Sequence, residues 1–268
     1  MKTQQDIIYD SLNNLTLDIY QPDETSQALL MLLHGGGWFR GDKAKESFLA
    51  EKFVAAGYTV VAPNYRLAPD TLFPGAMEDV LLAYDWVAKS SLFSDNQPIF
   101  ALGSSAGGNL SIELALQRGV PAASWSGIID MNDWINQHPD TPARMNQEHH
   151  FDEHESRDIN QSGSNDQFYK WFILNYVASD MKLLAEATPL TRISEESGPL
   201  FLANSLHELV PTSGVLMLQQ ALLSKGVASE VKLVAGTVHG EGYWEIALPA
   251  TLAFFQNYLP QKADYTTH

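Results

Sequence analysis

Cysteine is absent from the chain, which excludes disulfides, thiol nucleophiles and thiolate metal ligands but does not fix a compartment. Positive charge is scarce, with Lys+Arg 16 against Asp+Glu 32 and a net charge of -16. That field repels phosphate backbones and anionic lipid, so neither nucleic acid nor a membrane surface is expected as a partner. No apolar run reaches membrane-spanning length. The N-terminal Met-Lys-Thr-Gln-Gln-Asp lacks the apolar core of a signal peptide, and a cytoplasmic location is the expectation. Internal repeats, low-complexity tracts and linker-like stretches are also missing. The 268 residues, 45% hydrophobic and 18% charged, therefore read as one globular domain over 1–268.

What is present begins with alternation. Gln4 to Tyr9 and Leu15 to Tyr20 read as two strands joined by a turn at Asn13-Asn14. Continuous apolar runs follow at Ala28 to Leu33, Tyr58 to Ala62, Pro98 to Leu102, Ala122 to Ile129 and Pro199 to Ala203, and Glu230 to Val234 forms the last strand. Helical patterns lie between them over Ala44 to Ala56, Pro74 to Ala88, Ala106 to Arg118 and Thr212 to Lys225, and Trp244 to Tyr258 closes the chain. Strands buried on both faces and alternating with helices predict an α/β fold. Its central sheet is mostly parallel, with helices on both faces and an antiparallel edge. The exception is a cap-like insertion at about 132–186. It is polar at first, with the dense run Glu148 to Glu155, and then aromatic at Phe168, Tyr169, Trp171, Phe172 and Tyr176. Those aromatic residues either line a pocket or pack as a core helix.

Gly103-Ser104-Ser105-Ala106-Gly107 fits G-x-S-x-G, and it joins a strand to a helix, the context this motif requires. A turn so tight strains the central serine and lifts its hydroxyl clear of the sheet, which makes Ser105 the candidate nucleophile. Its flanking glycines let strand and helix approach without a Cβ between them. About seventy residues earlier His34-Gly35-Gly36-Gly37-Trp38 follows another strand. Consecutive glycines there suit a backbone that approaches a substrate oxygen closely, as an oxyanion hole must. A serine nucleophile needs a base. His239, in a Gly-Thr-Val-His-Gly loop after the last strand, has the right place in the order Ser, acid, His. His149, His150 and His154 stand among acids but without a metal-ligand spacing. They read as solvated surface, and no metal site is expected.

These motifs resemble the hormone-sensitive-lipase-like and BD-FAE-type esterases of the α/β-hydrolase superfamily. The resemblance covers nearly the whole chain and includes Asn64 to Pro69, Thr188-Pro189-Leu190, Glu208-Leu209-Val210-Pro211 and His239-Gly240. It implies serine-dependent hydrolysis of a small-molecule ester through an acyl-enzyme, without a cofactor. Ser105 would be the nucleophile, His239 the base, and Gly36, Gly37 and Ala106 the oxyanion donors. Two departures follow. The residue before the nucleophile, often acidic in these families, is Ser104. The expected aspartate of an Asp-x-Leu-Val-Pro segment is replaced by His207. The expected acid is then the adjacent Glu208, whose longer side chain can offset a one-residue shift; the alternatives are a carboxylate elsewhere, such as Asp130 or Asp133, or a missing acid. The modest insertion and the lack of a long segment before the first strand favour short acyl groups. An amidase or formamidase on the same scaffold, a binding protein that has lost catalysis, and a homodimer all stay open.

Overall fold

A computed structural model of the chain describes residues 1–145 and 163–260. The apolar runs become the centre of one eight-stranded sheet. Its strands are β1 (Lys2–Asp10), β2 (Leu15–Gln21), β3 (Ala28–Leu33), β4 (Tyr58–Pro63), β5 (Ile99–Ser104), β6 (Ala122–Trp125), β7 (Leu200–Ser205) and β8 (Ser229–Val234). They lie in the order β1-β2-β4-β3-β5-β6-β7-β8. β1 and β2 form an antiparallel edge against β4, and every pairing from β4 to β8 is parallel. Parallel strands need crossovers, and helices supply them. These are α1 (Ser47–Ala55), α2 (Gly75–Lys89), α3 (Ala106–Arg118) and α7 (Ser213–Ser224), with α8 (Trp244–Gln256) following β8.

Side chains alternate between the two faces along each strand. Leu29, Met31 and Leu33 of β3 join a core with Val80 of α2, Leu110 and Leu114 of α3 and Leu218 of α7. Ala28, Leu30 and Leu32 face the other way, into a core with Phe53 of α1 and Phe254 and Phe255 of α8. Both faces are thus covered, which explains why β3 and β4 carry no polar alternation.

The structure differs from the sequence reading in three places. Strand pairing in β6 ends at Trp125 rather than Ile129, because Ser126 turns to φ 53; Ile128 and Ile129 pack into the first core instead. The helix expected from Ala44 begins as a 3-10 turn, Lys43–Glu46, with Asp42 accepting from the Ala44 N–H. Within the insertion, α4 (Asn132–Gln137), α5 (Asp166–Tyr176) and α6 (Met181–Ala187) are present, and the sequence pattern had revealed only the middle one. α5 packs Tyr169, Ile173 and Tyr176 into the first core, with Tyr176 stacked on Trp38 at 4.1 Å. His149, His150 and His154, with the acidic run around them, lie outside the described residues.

Candidate active site

Parallel strands end on the same side of a sheet, so the segments after β3, β5, β6, β7 and β8 meet along one carboxyl edge. α/β folds place their ligands at such an edge. Ser105 stands there between β5 and α3 with φ 55 and ψ -121, a conformation costly for a residue with a Cβ. The surroundings hold it in place. Its N–H donates to Trp125 O at 2.9 Å and its carbonyl accepts from Asn109 N at 3.0 Å. The turn needs its glycines: a Cβ on Gly103 would lie 2.2 Å from Gly107 O, and one on Gly107 would lie 2.0 Å from Leu33 O.

His239 follows β8 and is buried, as is Glu208 after β7. Nδ1 of His239 meets Glu208 Oε2 at 2.5 Å. The second oxygen, Oε1, accepts from Ser205 N–H at 2.7 Å and from Ser126 Oγ at 2.8 Å. Ser126 also accepts from Gly240 N–H at 2.9 Å and contacts Tyr243 Oη at 2.8 Å, and Tyr243 donates to Ala203 O at 2.9 Å. Charge-assisted bonds of this kind are short and strong, and they orient what they hold. Burial, followed by the charge of Glu208, pushes the Tyr243 hydroxyl well above its ordinary pKa, so it stays a neutral donor.

The other candidate acids lie elsewhere. Asp130 accepts from Trp134 N–H at 3.2 Å and from Ser213 Oγ at 3.4 Å, fastening the starts of α4 and α7, and burial raises its pKa. Asp133 lies in the first turn of α4. His207 is exposed, whereas Glu208 beside it is buried.

The glycine loop closes the other side. Gly36 and Gly37 have φ 114 and φ 58, and Gly36 O accepts from Phe39 N and Arg40 N, each at 3.2 Å. His34 supports this loop and has no access to solvent. Its Nδ1 contacts Gly35 O at 2.8 Å, its ring stacks on Tyr65 at 4.1 Å, and burial lowers its pKa to about 4. Gly35, Gly36, Gly37, Ser105 and His239 all line one cleft of about 510 Å³, open mouth included, whose apolar walls are Phe39, Phe168, Phe172 and Leu209. Ala106 opens α3, and its N–H is one of those that a helix leaves unbonded at its start. Phe168 and Phe172 thus line the cleft while Tyr169 and Tyr176 of the same helix pack inward.

Sequence reasoning missed Ser126, Tyr243 and Glu241. Each lies outside every motif, and only the pairing of β6 with β7 and the turn after His239 bring them in. Among the described residues, no group of three or more His, Asp or Glu side chains is placed to hold a metal ion. No helix among them is long and apolar enough to cross a membrane.

A family model described as alpha/beta hydrolase fold matches residues 30–242. Carboxylesterase NlhH of Mycobacterium tuberculosis is 28% identical over 252 residues, 90% of this chain and 76% of that protein. Versiconal hemiacetal acetate esterase of Aspergillus parasiticus is 36% identical over 109 residues, 40% of this chain and 34% of that protein. Among solved structures, a truncated carbohydrate esterase from gut microbiota superposes with a TM-score of 0.76 at 18% identity, covering 96% of both chains. An esterase of Pyrobaculum calidifontis does so with a TM-score of 0.74 at 21% identity, covering 97% of this chain and 86% of that one. At these identities the structural likeness is one of fold. The family match, however, runs from β3 through the glycine loop, the elbow, Glu208 and His239, and by it the chain belongs to the alpha/beta hydrolase fold family.

Proposed function

We propose that the protein is a carboxylesterase-type serine hydrolase with Ser105 as nucleophile, His239 as base and Glu208 as acid. The observation that carries this reading is a strained serine sharing a cleft with a histidine whose Nδ1 is held by a buried carboxylate. With Nδ1 engaged, Nε2 is the ring nitrogen left for the serine proton. Ser105 Oγ attacks the ester carbonyl while His239 Nε2 takes its proton, and the oxyanion forms against the N–H groups of Gly36, Gly37 and Ala106. His239 returns the proton to the departing alcohol, leaving an acyl-enzyme. Water, deprotonated by the same nitrogen, then releases the acid and restores Ser105. Glu208 stabilises the imidazolium formed in each half. The step needs no cofactor.

The relatives support the reaction class: those named above are a carboxylesterase and an acetate esterase. The rings of Phe168 and Phe172, with Leu209, narrow the cleft and support a preference for short acyl groups. The substrate is a small-molecule ester; one domain spanning 1–268, with a cap formed by the insertion, completes the proposal.

The test is covalent labelling by a fluorophosphonate probe together with hydrolysis of p-nitrophenyl acetate. Stoichiometric adduct on Ser105 and turnover that vanishes in Ser105→Ala are the expected results. A folded wild-type protein that takes no label and turns over no ester at pH 8 would refute the reading. Running N-formyl and simple amides beside the esters separates an esterase from an amidase, since both would use the same groups.

A further inference from the structure

The two segments that carry the reacting groups, the elbow and the His239 loop, are not neighbours in the sheet. β6 and β7 separate β5 from β8. The His239 loop is fastened behind by the Gly240 N–H to Ser126 and by Ser205 Oγ to Val238 O at 2.6 Å. In front it meets the elbow at Ser104. Ser104 Oγ donates to Glu241 Oε1 at 3.5 Å across 137 residues of chain. Gly240, at φ 56, lies so close that a Cβ on it would sit 3.4 Å from Ser104 Cβ. Ser104 and Glu241 are 7% and 3% exposed, and both line the cleft with Ser105 and His239.

Glu208 already supplies the acid against His239, and the mechanism above gives Glu241 no role. A contact of 3.5 Å is long for a hydrogen bond, but such contacts in resting sites tighten when substrate binds. We propose that Glu241 is a positioning residue: its carboxylate braces the His239 loop against Ser104 and so sets the reach from His239 to Ser105. A reach wrong by an ångström slows a reaction whose atoms must be aligned, without weakening substrate binding.

The inference rests on the esterase reading, and a double-mutant cycle on the full chain tests it apart from that reading. kcat, KM and Tm are measured for wild type, Glu241→Ala, Ser104→Ala, the double variant and Glu241→Gln, with p-nitrophenyl acetate as substrate. Glu241→Ala and Ser104→Ala should each lower kcat about tenfold, with KM within about twofold and Tm within about 3 °C of wild type. The double variant should be no slower than the worse single one, because both remove the same contact. Glu241→Gln keeps an oxygen acceptor and should recover most of the loss. Additive losses, unchanged kcat, a defect confined to Tm, or a Gln variant as slow as the Ala variant each overturn the proposal. If Glu241→Ala does not fold, a Ser104→Ala kcat equal to wild type is enough to overturn it and a tenfold drop at constant KM to uphold it. Wild-type turnover that disappears in Ser105→Ala keeps the esterase reading intact whichever way the cycle falls, whereas no wild-type turnover removes both.

Discussion

Glu208→Gln exchanges one carboxylate oxygen for an amide nitrogen in a place where the neighbouring donors are fixed. At Oε1 stand the Ser205 backbone N–H and the Ser126 hydroxyl, at 2.7 Å and 2.8 Å. An amide nitrogen there would face the Ser205 N–H donor to donor, which leaves a buried group unsatisfied. The amide oxygen therefore takes that place, and the –NH₂ turns to His239 Nδ1, where Oε2 had been at 2.5 Å. A ring nitrogen that receives an N–H carries no proton of its own, so the proton moves to Nε2. In the proposed mechanism that is the nitrogen that accepts from Ser105. Holding the wrong tautomer in a serine hydrolase lowers kcat by about ten-thousandfold, or ~5.5 kcal/mol at about 1.36 kcal/mol per factor of ten. The bonds to Ser205 and Ser126 survive, so Tm should fall by only a few degrees. Steady-state kcat on p-nitrophenyl acetate at pH 8, with Tm measured beside it, reads both. A folded Glu208→Gln variant within tenfold of wild-type kcat would show that this carboxylate does not orient the base.

Asp130→Asn should leave kcat within a few-fold and lower stability by about 1 kcal/mol, the worth of a helix cap, as read from urea unfolding. Gly36→Ala puts a Cβ 2.0 Å from Arg40 O at φ 114, so the loop must shift. In the proposed mechanism this loses one oxyanion donor, which predicts at least a roughly hundredfold drop in kcat on p-nitrophenyl acetate. Phe172→Ala should open the acyl side of the cleft, raising kcat/KM for the decanoate relative to the acetate ester; an unchanged ratio would place the acyl group elsewhere. His34, with its pKa lowered by burial to about 4 from 6.5, gives a pH dependence of stability. The unfolded chain binds a proton that the folded one refuses, so this contribution is complete above about pH 6.5 and is lost as pH falls toward 4. It amounts to about 3 kcal/mol, and urea midpoints at pH 7 and pH 4.5, compared with those of His34→Gln, measure it.

The parallel sheet could be read from the sequence because runs such as Ala28–Leu33 and Tyr58–Pro63 are apolar on both faces, a pattern that few other environments require. The elbow was legible for a steric reason: glycines at 103 and 107 occur where strand and helix backbones nearly touch. The acid was not. Glu208 and Asp130 both follow strands, at the same sheet edge, and a one-dimensional pattern does not say which carboxylate turns inward. Only the placement of Trp134 N–H and Ser213 Oγ shows that the oxygens of Asp130 are engaged at helix starts. The end of β6 was hidden because Ile128 and Ile129 continue an apolar run, while the positive φ of Ser126 leaves no compositional trace. α4 and α6, at 6 and 7 residues, are too short for a period of 3.6 to declare itself.

The anchorage of Glu208 bears on how such a site can change over evolutionary time. Its oxygen is received by a hydroxyl just past the end of a different strand and by a backbone N–H three residues back. The receptor for this carboxylate is therefore built independently of the residue that fills it. A carboxylate from a neighbouring position whose stem reached the same two donors would serve the proposed base equally. In the proposed mechanism the acid could then move along the chain without an inactive intermediate, provided Ser126 stays. Ser126, which no motif marks, is thus the position where drift should be least tolerated.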